Sequence, residues 1–251
     1  MKLQVEARCH VGVVRDENQD ALLVAGATRR EDLRAHTLTT DALTRPLLFA
    51  VADGMGGHAN GGRASLIVCA ALEQAARALP GDATYDVLQR ALEMAIETGH
   101  RTMRQSLAND GAERPMGTTV TALAVSAAAA ALVHVGDSRA YRWRDGILLR
   151  LTRDHSVREM IDPFAPANRL ANAVGAGERM FVDSEDLTGR LLPEDRVLLC
   201  SDGLWGVVDD AELEAILSTH VLEAAADTLL ETVLSRGAPD NVSLLVLDVA
   251  A

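Results

Sequence analysis

Aromatic side chains are scarce in this chain, with three Phe, two Trp and two Tyr among 251 residues. A core of domain size must therefore be filled mainly by Ala, Val and Leu, which an apolar content of 48% allows. Cysteine is rarer still. Cys9, Cys69 and Cys200 are odd in number and show no paired spacing, so no disulfide framework is expected and a reduced, cytoplasmic setting is. No stretch has the length of a signal peptide or a membrane span: residues 1–10 interleave Lys2, Gln4, Glu6 and Arg8 with apolar positions, and the Ala-rich run 120–135 is broken by Thr121, Ser126 and His134. Basic residues are outnumbered, 24 Lys and Arg against 36 Asp and Glu, and the net charge of −12 argues against nucleic-acid or anionic-membrane partners. Internal repeats and low-complexity linkers are missing too, so residues 1–251 are expected to form one domain.

What is present is a series of apolar strands and two groups of helices. Alternation or short apolar runs predict strands at 3–7, 21–25, 46–52, 118–125, 130–135, 139–143, 147–151, 181–187, 196–201 and 242–249. Arg144-Asp145-Gly146 reads as a hairpin turn. Helical spacing predicts helices over 65–79, stopped by Pro80, over 84–107, and over 221–235. Asp209-Asp210-Ala211-Glu212 has the pattern of a capping box opening a helix to 217. Residues 26–45 and 155–180 are polar and aperiodic and read as loops. Strands clustered apart from helices predict an α+β architecture.

Several of these strands end in carboxylates. The run 46–52 delivers Asp53 to a turn rich in glycine (Gly54, Gly56, Gly57 and Gly61), where the missing Cβ lets the backbone approach a small hard ligand. Asp-Gly also makes ordinary turns, and one such site decides nothing. The arrangement recurs, however: Asp202-Gly203 follows 196–201, Gly136-Asp137 follows 130–135, Asp240 precedes 242–249, and Asp20 precedes 21–25. No Cys or His pair at ligand spacing joins them, and oxygen donors alone favour Mg²⁺ or Mn²⁺ over zinc or copper.

Seven motifs in order now resemble one family, the metal-dependent Ser/Thr protein phosphatases of type 2C in their bacterial form. They are Gly12-x-x-Arg15-x-x-Asn18-Gln19-Asp20, Ala52-Asp53-Gly54-Met55-Gly56-Gly57-His58, Gly117-Thr118-Thr119, Val135-Gly136-Asp137-Ser138-Arg139-Ala140-Tyr141, Leu151-Thr152-x-Asp154-His155-Ser156, Ser201-Asp202-Gly203-Leu204-Trp205 and Asp240-Asn241. The resemblance implies a four-layer α-β-β-α sandwich, two mainly antiparallel sheets flanked by helix pairs. It implies hydrolysis of phosphoserine and phosphothreonine by a metal-activated water, using two or three Mn²⁺ or Mg²⁺ ions. Asp53 would bridge two ions with the Gly54 carbonyl as a further ligand, Asp202 and Asp240 would hold the second ion, and Asp137 would join Asp202 at a third. Arg15 would anchor the phosphate, as a guanidinium can by two bonds at once, and Asp20 would lie close to the metals, orienting a coordinated water or ligating directly. The implied partners are a phosphoprotein substrate and a cognate Ser/Thr kinase, with the chain acting as a monomer.

The sequence departs from the family at several places. Eukaryotic members carry His after the first Asp-Gly as a candidate general acid; Met55 stands there, and His58 is the nearest replacement. Gln19 replaces a common Glu, Arg63 replaces a Glu of bacterial relatives, and the segment 157–172, which resembles the substrate-facing flap, is short. Two rivals are weaker. Cys9 and Arg15 match the Cys-x5-Arg loop of cysteine-dependent phosphatases, but Asp16 and Glu17 follow where a helix N-terminus is needed. A phosphatase fold that binds phosphoproteins without turnover would not need Asp53, Asp202 and Asp240 together.

Overall fold

The computed structural model describes residues 2–29, 44–56, 59–110, 116–166 and 169–250. In chain order the elements are β1 (Lys2–His10), β2 (Ala21–Val24), β3 (Ala27–Arg29), β4 (Leu47–Ala52), β5 (Gly54–Met55), α1 (Ala59–Ala78), α2 (Tyr85–Asp110), β6 (Gly117–Thr118), β7 (Val120–Val125), β8 (Ala130–Val135), β9 (Arg139–Arg144) and β10 (Ile147–Arg150). They continue with α3 (Val157–Met160), β11 (Asp183–Asp186), β12 (Arg196–Cys200), α4 (Asp202–Trp205), α5 (Asp210–Thr219), α6 (Leu222–Ser235) and β13 (Val242–Ala250). One sheet has the order β1-β13-β12-β9-β10, the other β11-β8-β7-β4-β2-β3, and β5 pairs with β6 in a small ladder beside them. Each of these pairings is antiparallel.

The apolar runs along the central strands follow from the layering. On β4 and β7, Phe49, Val51, Leu123 and Val125 point between the sheets, while Leu48, Ala50, Ala122 and Ala124 point toward α1 and α2. Both faces are dry, so neither can be polar. Alanine on the helix side keeps the strand surface low, and α1 and α2 supply the larger Val68, Leu72, Leu88 and Ile96. On the far side, α5 and α6 cover β12 and β13 through Leu213, Leu217, Leu229 and Val233 against Leu198, Leu244 and Val246. This is the four-layer α+β sandwich that the sequence leads one to expect, and its core is assembled with few aromatic rings.

Several boundaries differ from expectation, each for a local reason. Helix α1 begins at Ala59, taking in Gly61, which the sequence assigns to a turn. Gly61 is used for close approach: a Cβ there would lie 2.4 Å from Gln19 Oε1. Strand β11 starts at Asp183 because Asn172 takes both backbone groups of Phe181, its Nδ2 donating to Phe181 O and its Oδ1 accepting from Phe181 N–H. Of the two expected loops, 26–45 opens with β3, and residues 30–43 lie outside the described residues. The other, 155–180, contains the single turn α3, capped by Ser156 Oγ accepting the Glu159 N–H at 3.2 Å. Half of the capping box expected at Asp209 forms: Asp209 Oδ1 accepts the Glu212 N–H at 2.9 Å, while the Glu212 carboxylate takes the Arg236 guanidinium instead of the Asp209 N–H. Among the described residues, no helix is long and apolar enough to cross a membrane.

Candidate metal centre

Antiparallel register brings the acidic strand ends together. Ala21 of β2 faces Ala52 of β4, so Asp20 and Asp53 leave the six-stranded sheet side by side. Val120 faces Val135, which puts Asp137 on the same edge. In the other sheet, Cys200 faces Leu244 and His10 faces Val242, so Asp202, Asp240 and the loop carrying Arg15 emerge there as well. Arg15, Asp53, Gly54, Asp137, Asp202 and Asp240 line one cavity of about 1390 Å³. Asp20 lies beneath its floor, 1% exposed. His58 falls outside the described residues.

Backbone contacts fix these side chains. Asp53 N–H donates to Thr119 Oγ1 at 3.0 Å, and its carbonyl accepts from Thr118 Oγ1 at 2.8 Å and Thr119 N–H at 2.9 Å. The Gly-Thr-Thr motif thus supports the site from below. Gly203 lets α4 seat against the Asp240 turn, since a Cβ there would fall 1.9 Å from Asn241 O. Asn241 does more than brace its neighbour. Its backbone N–H donates to Asp240 Oδ1, while its side chain clamps the Arg15 loop, donating to Val11 O and Glu17 O and accepting the Gln19 N–H. Asp137 is held through its carbonyl, which accepts the Trp205 Nε1–H at 2.9 Å. Trp205 in turn lies under the Arg139 guanidinium, 3.6 Å from ring centroid to Cζ, and Arg139 forks onto Asp154.

The electrostatics show what the cluster lacks. Burial pushes Asp20 up to about 7, with Asp202 and Asp240 adding to it, against two serine hydrogen bonds that pull the other way. Burial also raises Asp137 to about 7, helped by Asp202 and Asp154. Asp53 is driven well above the carboxylate range by burial and then by Asp20, Asp202 and Asp137; its carboxyl group comes within hydrogen-bonding reach of Asp202. Burial and Asp240 raise Asp202. Against these acids stands Arg15, whose Nη2 donates to Asp240 Oδ2 at 2.6 Å. Asp20 Oδ1 is buried with no hydrogen-bond partner. Crowded acidic oxygens, one of them orphaned, are a donor set that suits hard divalent cations. Among the described residues no three His, Cys, Asp or Glu side chains close around a single point, so the arrangement is an open one, with donors from five separate segments.

Three features of this region have roles that only the fold makes visible. Ser201 donates its hydroxyl to Asp20 Oδ2 from behind and is itself held by the Ser243 N–H, roles hidden within an apolar strand pattern. Arg179 lines the cavity from a segment read as irregular, as does Arg169. His155 joins the loop before Asp137 to that segment, with Gly136 N–H and Asn172 Nδ2 both directed at its Nδ1 at 3.2 and 2.8 Å. Cys9, the would-be nucleophile of the rival loop, is buried inside β1 with its sulfur taking the Asn18 amide at 3.0 Å.

Comparison with known proteins adds an independent line. A family model described as protein phosphatase 2C matches residues 25–235. The serine/threonine protein phosphatase PstP of Mycobacterium tuberculosis is 35% identical over 98% of this chain; the chain spans 45% of that relative's length. Among solved structures, PppA of Pseudomonas aeruginosa, a key regulatory component of T6SS, superposes with a TM-score of 0.81 at 35% identity, covering 99% of this chain and 98% of that one. The catalytic domain of a PstP, solved in complex with two manganese ions, gives a TM-score of 0.77 at 33% identity over 100% of this chain and 99% of its own.

Proposed function

We propose that this chain, which belongs to the protein phosphatase 2C family, is one phosphatase domain that hydrolyses phosphoserine and phosphothreonine on proteins. The observation that carries the reading is the gathering of Asp53, Asp137, Asp202 and Asp240 around one cavity beside Arg15, with Asp20 beneath it. Asp53 with the Gly54 carbonyl, and Asp202 with Asp240, would hold two Mn²⁺ or Mg²⁺ ions, and Asp137 with Asp202 a third. Manganese in the PstP catalytic domain supports that choice. Divalent ions, when bound, supply positive charge to phosphoryl oxygens and make water a competent nucleophile near neutral pH.

The chain's own groups do the remaining work. Arg15, 56% exposed at its side chain, exchanges Asp240 for two phosphate oxygens and sets the phosphoryl group over the acidic floor. Asp20 accepts a hydrogen bond from the attacking water. Thr118 and Thr119 keep Asp53 from moving when charge enters. Water adds to phosphorus as the P–O(Ser/Thr) bond breaks, giving inorganic phosphate and the free hydroxyl. His58 is the side chain proposed to protonate the departing oxygen. Cavity size supports a protein segment as substrate, being larger than most small-molecule sites. A Ser/Thr kinase would supply that substrate, in a bacterial signalling pathway in the cytoplasm, where three buried thiols would stay reduced. The enzyme would act as a monomer.

Hydrolysis of p-nitrophenyl phosphate and of a phosphothreonine peptide, with and without Mn²⁺, tests the reading. Turnover that needs Mn²⁺ and vanishes on chelation is expected. Phosphopeptide binding without release of phosphate would favour a non-catalytic module instead, and activity lost in Cys9→Ser would point to a thiol route.

A further inference from the structure

Asp20 is held from one side only. Ser201, just after β12, donates its hydroxyl to Asp20 Oδ2 at 2.9 Å. On the adjacent strand β13, the Ser243 hydroxyl interacts with the same carboxyl group. The two serines lock each other: Ser201 N–H donates to Ser243 O at 2.9 Å, and Ser243 N–H donates to Ser201 Oγ at 3.0 Å. Ser243 Oγ also lies 3.2 Å from Cys9 Sγ, which takes the Asn18 amide; Asn18 Oδ1 then accepts the Asp20 N–H at 3.1 Å. A closed ring of contacts thus fixes both the backbone and one oxygen of Asp20.

The other oxygen is left bare. Asp20 Oδ1 is buried and has no hydrogen-bond partner, and its charged neighbours include Asp53, Asp202 and Asp240. Elsewhere in the structure buried carboxylates meet guanidinium or N–H groups, as Asp195 does with Arg144 and Leu192. An oxygen kept rigid, dry and among other acids lacks one kind of partner, a cation or a water that a cation holds. Neither serine can act on substrate directly, since both are 0% exposed.

We propose that Ser201 and Ser243 are positioning residues that hold Asp20 with Oδ1 turned to the cations, and so set the metal affinity of the site. This inference rests on the metal-dependent reading above. Groups that orient a ligand from behind typically change metal affinity by about 10- to 100-fold when removed. Ser201 follows β12 and Ser243 lies on β13, locked to it, so each provides a separate probe of the same constraint.

Mn²⁺ titration calorimetry on the full chain tests this without reference to turnover. Ser201→Ala and Ser243→Ala should each bind Mn²⁺ about tenfold more weakly than wild type, and Asp20→Asn at least as weakly. Adding Ser201→Ala to Asp20→Asn should cost no more than about a further twofold, because the serine acts through that carboxylate. Circular dichroism melts in chelator establish that each variant is folded, and Ser243→Ala serves if Ser201→Ala is not. Mn²⁺ affinity within twofold of wild type in both serine variants overturns the inference, as do losses that simply add to that of Asp20→Asn. Should wild type bind Mn²⁺ and Asp53→Asn not, an unchanged pair of serine variants sinks this inference alone. Should wild type bind no Mn²⁺, the metal-dependent reading falls and takes the inference with it.

Discussion

Strand β12 has two ends of opposite character. At its start, Arg196 forks onto Asp248 through Nε and Nη2 at 2.6 and 2.8 Å, and its Nη1 donates to Leu217 O and His220 O, both at 2.7 Å. Asp195 beside it has a fully buried side chain answered by the Arg144 guanidinium and the Leu192 N–H. At its other end, roughly 17 Å away at a strand's rise per residue, Asp202 meets Asp53, Asp240 and the half-satisfied Asp20. Both ends bury acids within one sandwich; one end answers each charge and the other leaves charge over. The difference separates what holds the fold together from what the fold has to carry, since an unpaired buried charge persists only where surrounding structure overrides its cost and function requires it.

The largest effect is expected from Asp53→Asn. Several kcal/mol of charge stabilisation depend on ions held there, so Mn²⁺-dependent turnover should fall by about a thousandfold. In chelator the same variant should unfold with a free energy about 1 kcal/mol higher than wild type, because one crowded acid is gone. Asp195→Ala should do the reverse. It strands the Arg144 guanidinium and removes a buried acceptor, costing about 3 kcal/mol of stability while leaving Mn²⁺ affinity alone. Denaturant titrations of both variants, with and without Mn²⁺, decide the matter. If Asp53→Asn destabilises the metal-free protein as Asp195→Ala does, the two ends do not differ in kind.

A smaller effect sharpens the contrast with pH. His134 is 2% exposed, its Nε2 facing Arg153 O at 3.1 Å and its Nδ1 2.9 Å from Thr121 Oγ1. Its ring lies 4.7 Å from that of His155, which itself meets Asp183. Burial, and then His155, lower it to about 3 from an ordinary value of 6.5. The unfolded chain therefore takes up this proton before the folded one does. Stability from this group is complete above pH 6.5 and is lost as pH falls from 6.5 toward 3. Between pH 7.5 and 5.0 wild type should lose about 2 kcal/mol more than His134→Gln, measured by denaturant melts in chelator. Equal losses would mean that the imidazole accepts its proton inside the fold.

Much of this was legible beforehand, for uneven reasons. Central strands such as β7 and β13 announce themselves because both faces are dry, and the capping residues of α5 because an Asp-to-N–H bond is local. The carboxylates were legible because each sits at a strand end beside a turn. Register is what the sequence does not write down: that Ala21 opposes Ala52 and Cys200 opposes Leu244 is a property of pairings across long separations. The serines behind Asp20 were hidden for the same reason, since Ser201 and Ser243 become neighbours only through that ladder. Gly61 misled in the opposite way, a residue that usually breaks helices being used inside one for closeness to Gln19.

The smallest predicted effect asks whether the two ends communicate. Asp209 caps α5, and the carbonyls of Leu217 and His220 at the far end of that helix accept from Arg196. Asp209→Ala should therefore cost about 1 kcal/mol, felt at the well-paired end. The first turn of α5 also reaches the other way, however: Tyr141 Oη donates to Asp210, Arg139 Nη1 donates to Tyr141 Oη, and Arg139 covers the Trp205 ring whose N–H holds Asp137. Arg139 is fixed independently by its fork onto Asp154, so fraying at Asp209 should stop at Tyr141 and leave Mn²⁺ affinity within twofold of wild type. A larger shift in calorimetric Mn²⁺ affinity would show that this chain of contacts carries strain from the helix cap to Asp137, and that the division between the two ends is not a division of labour.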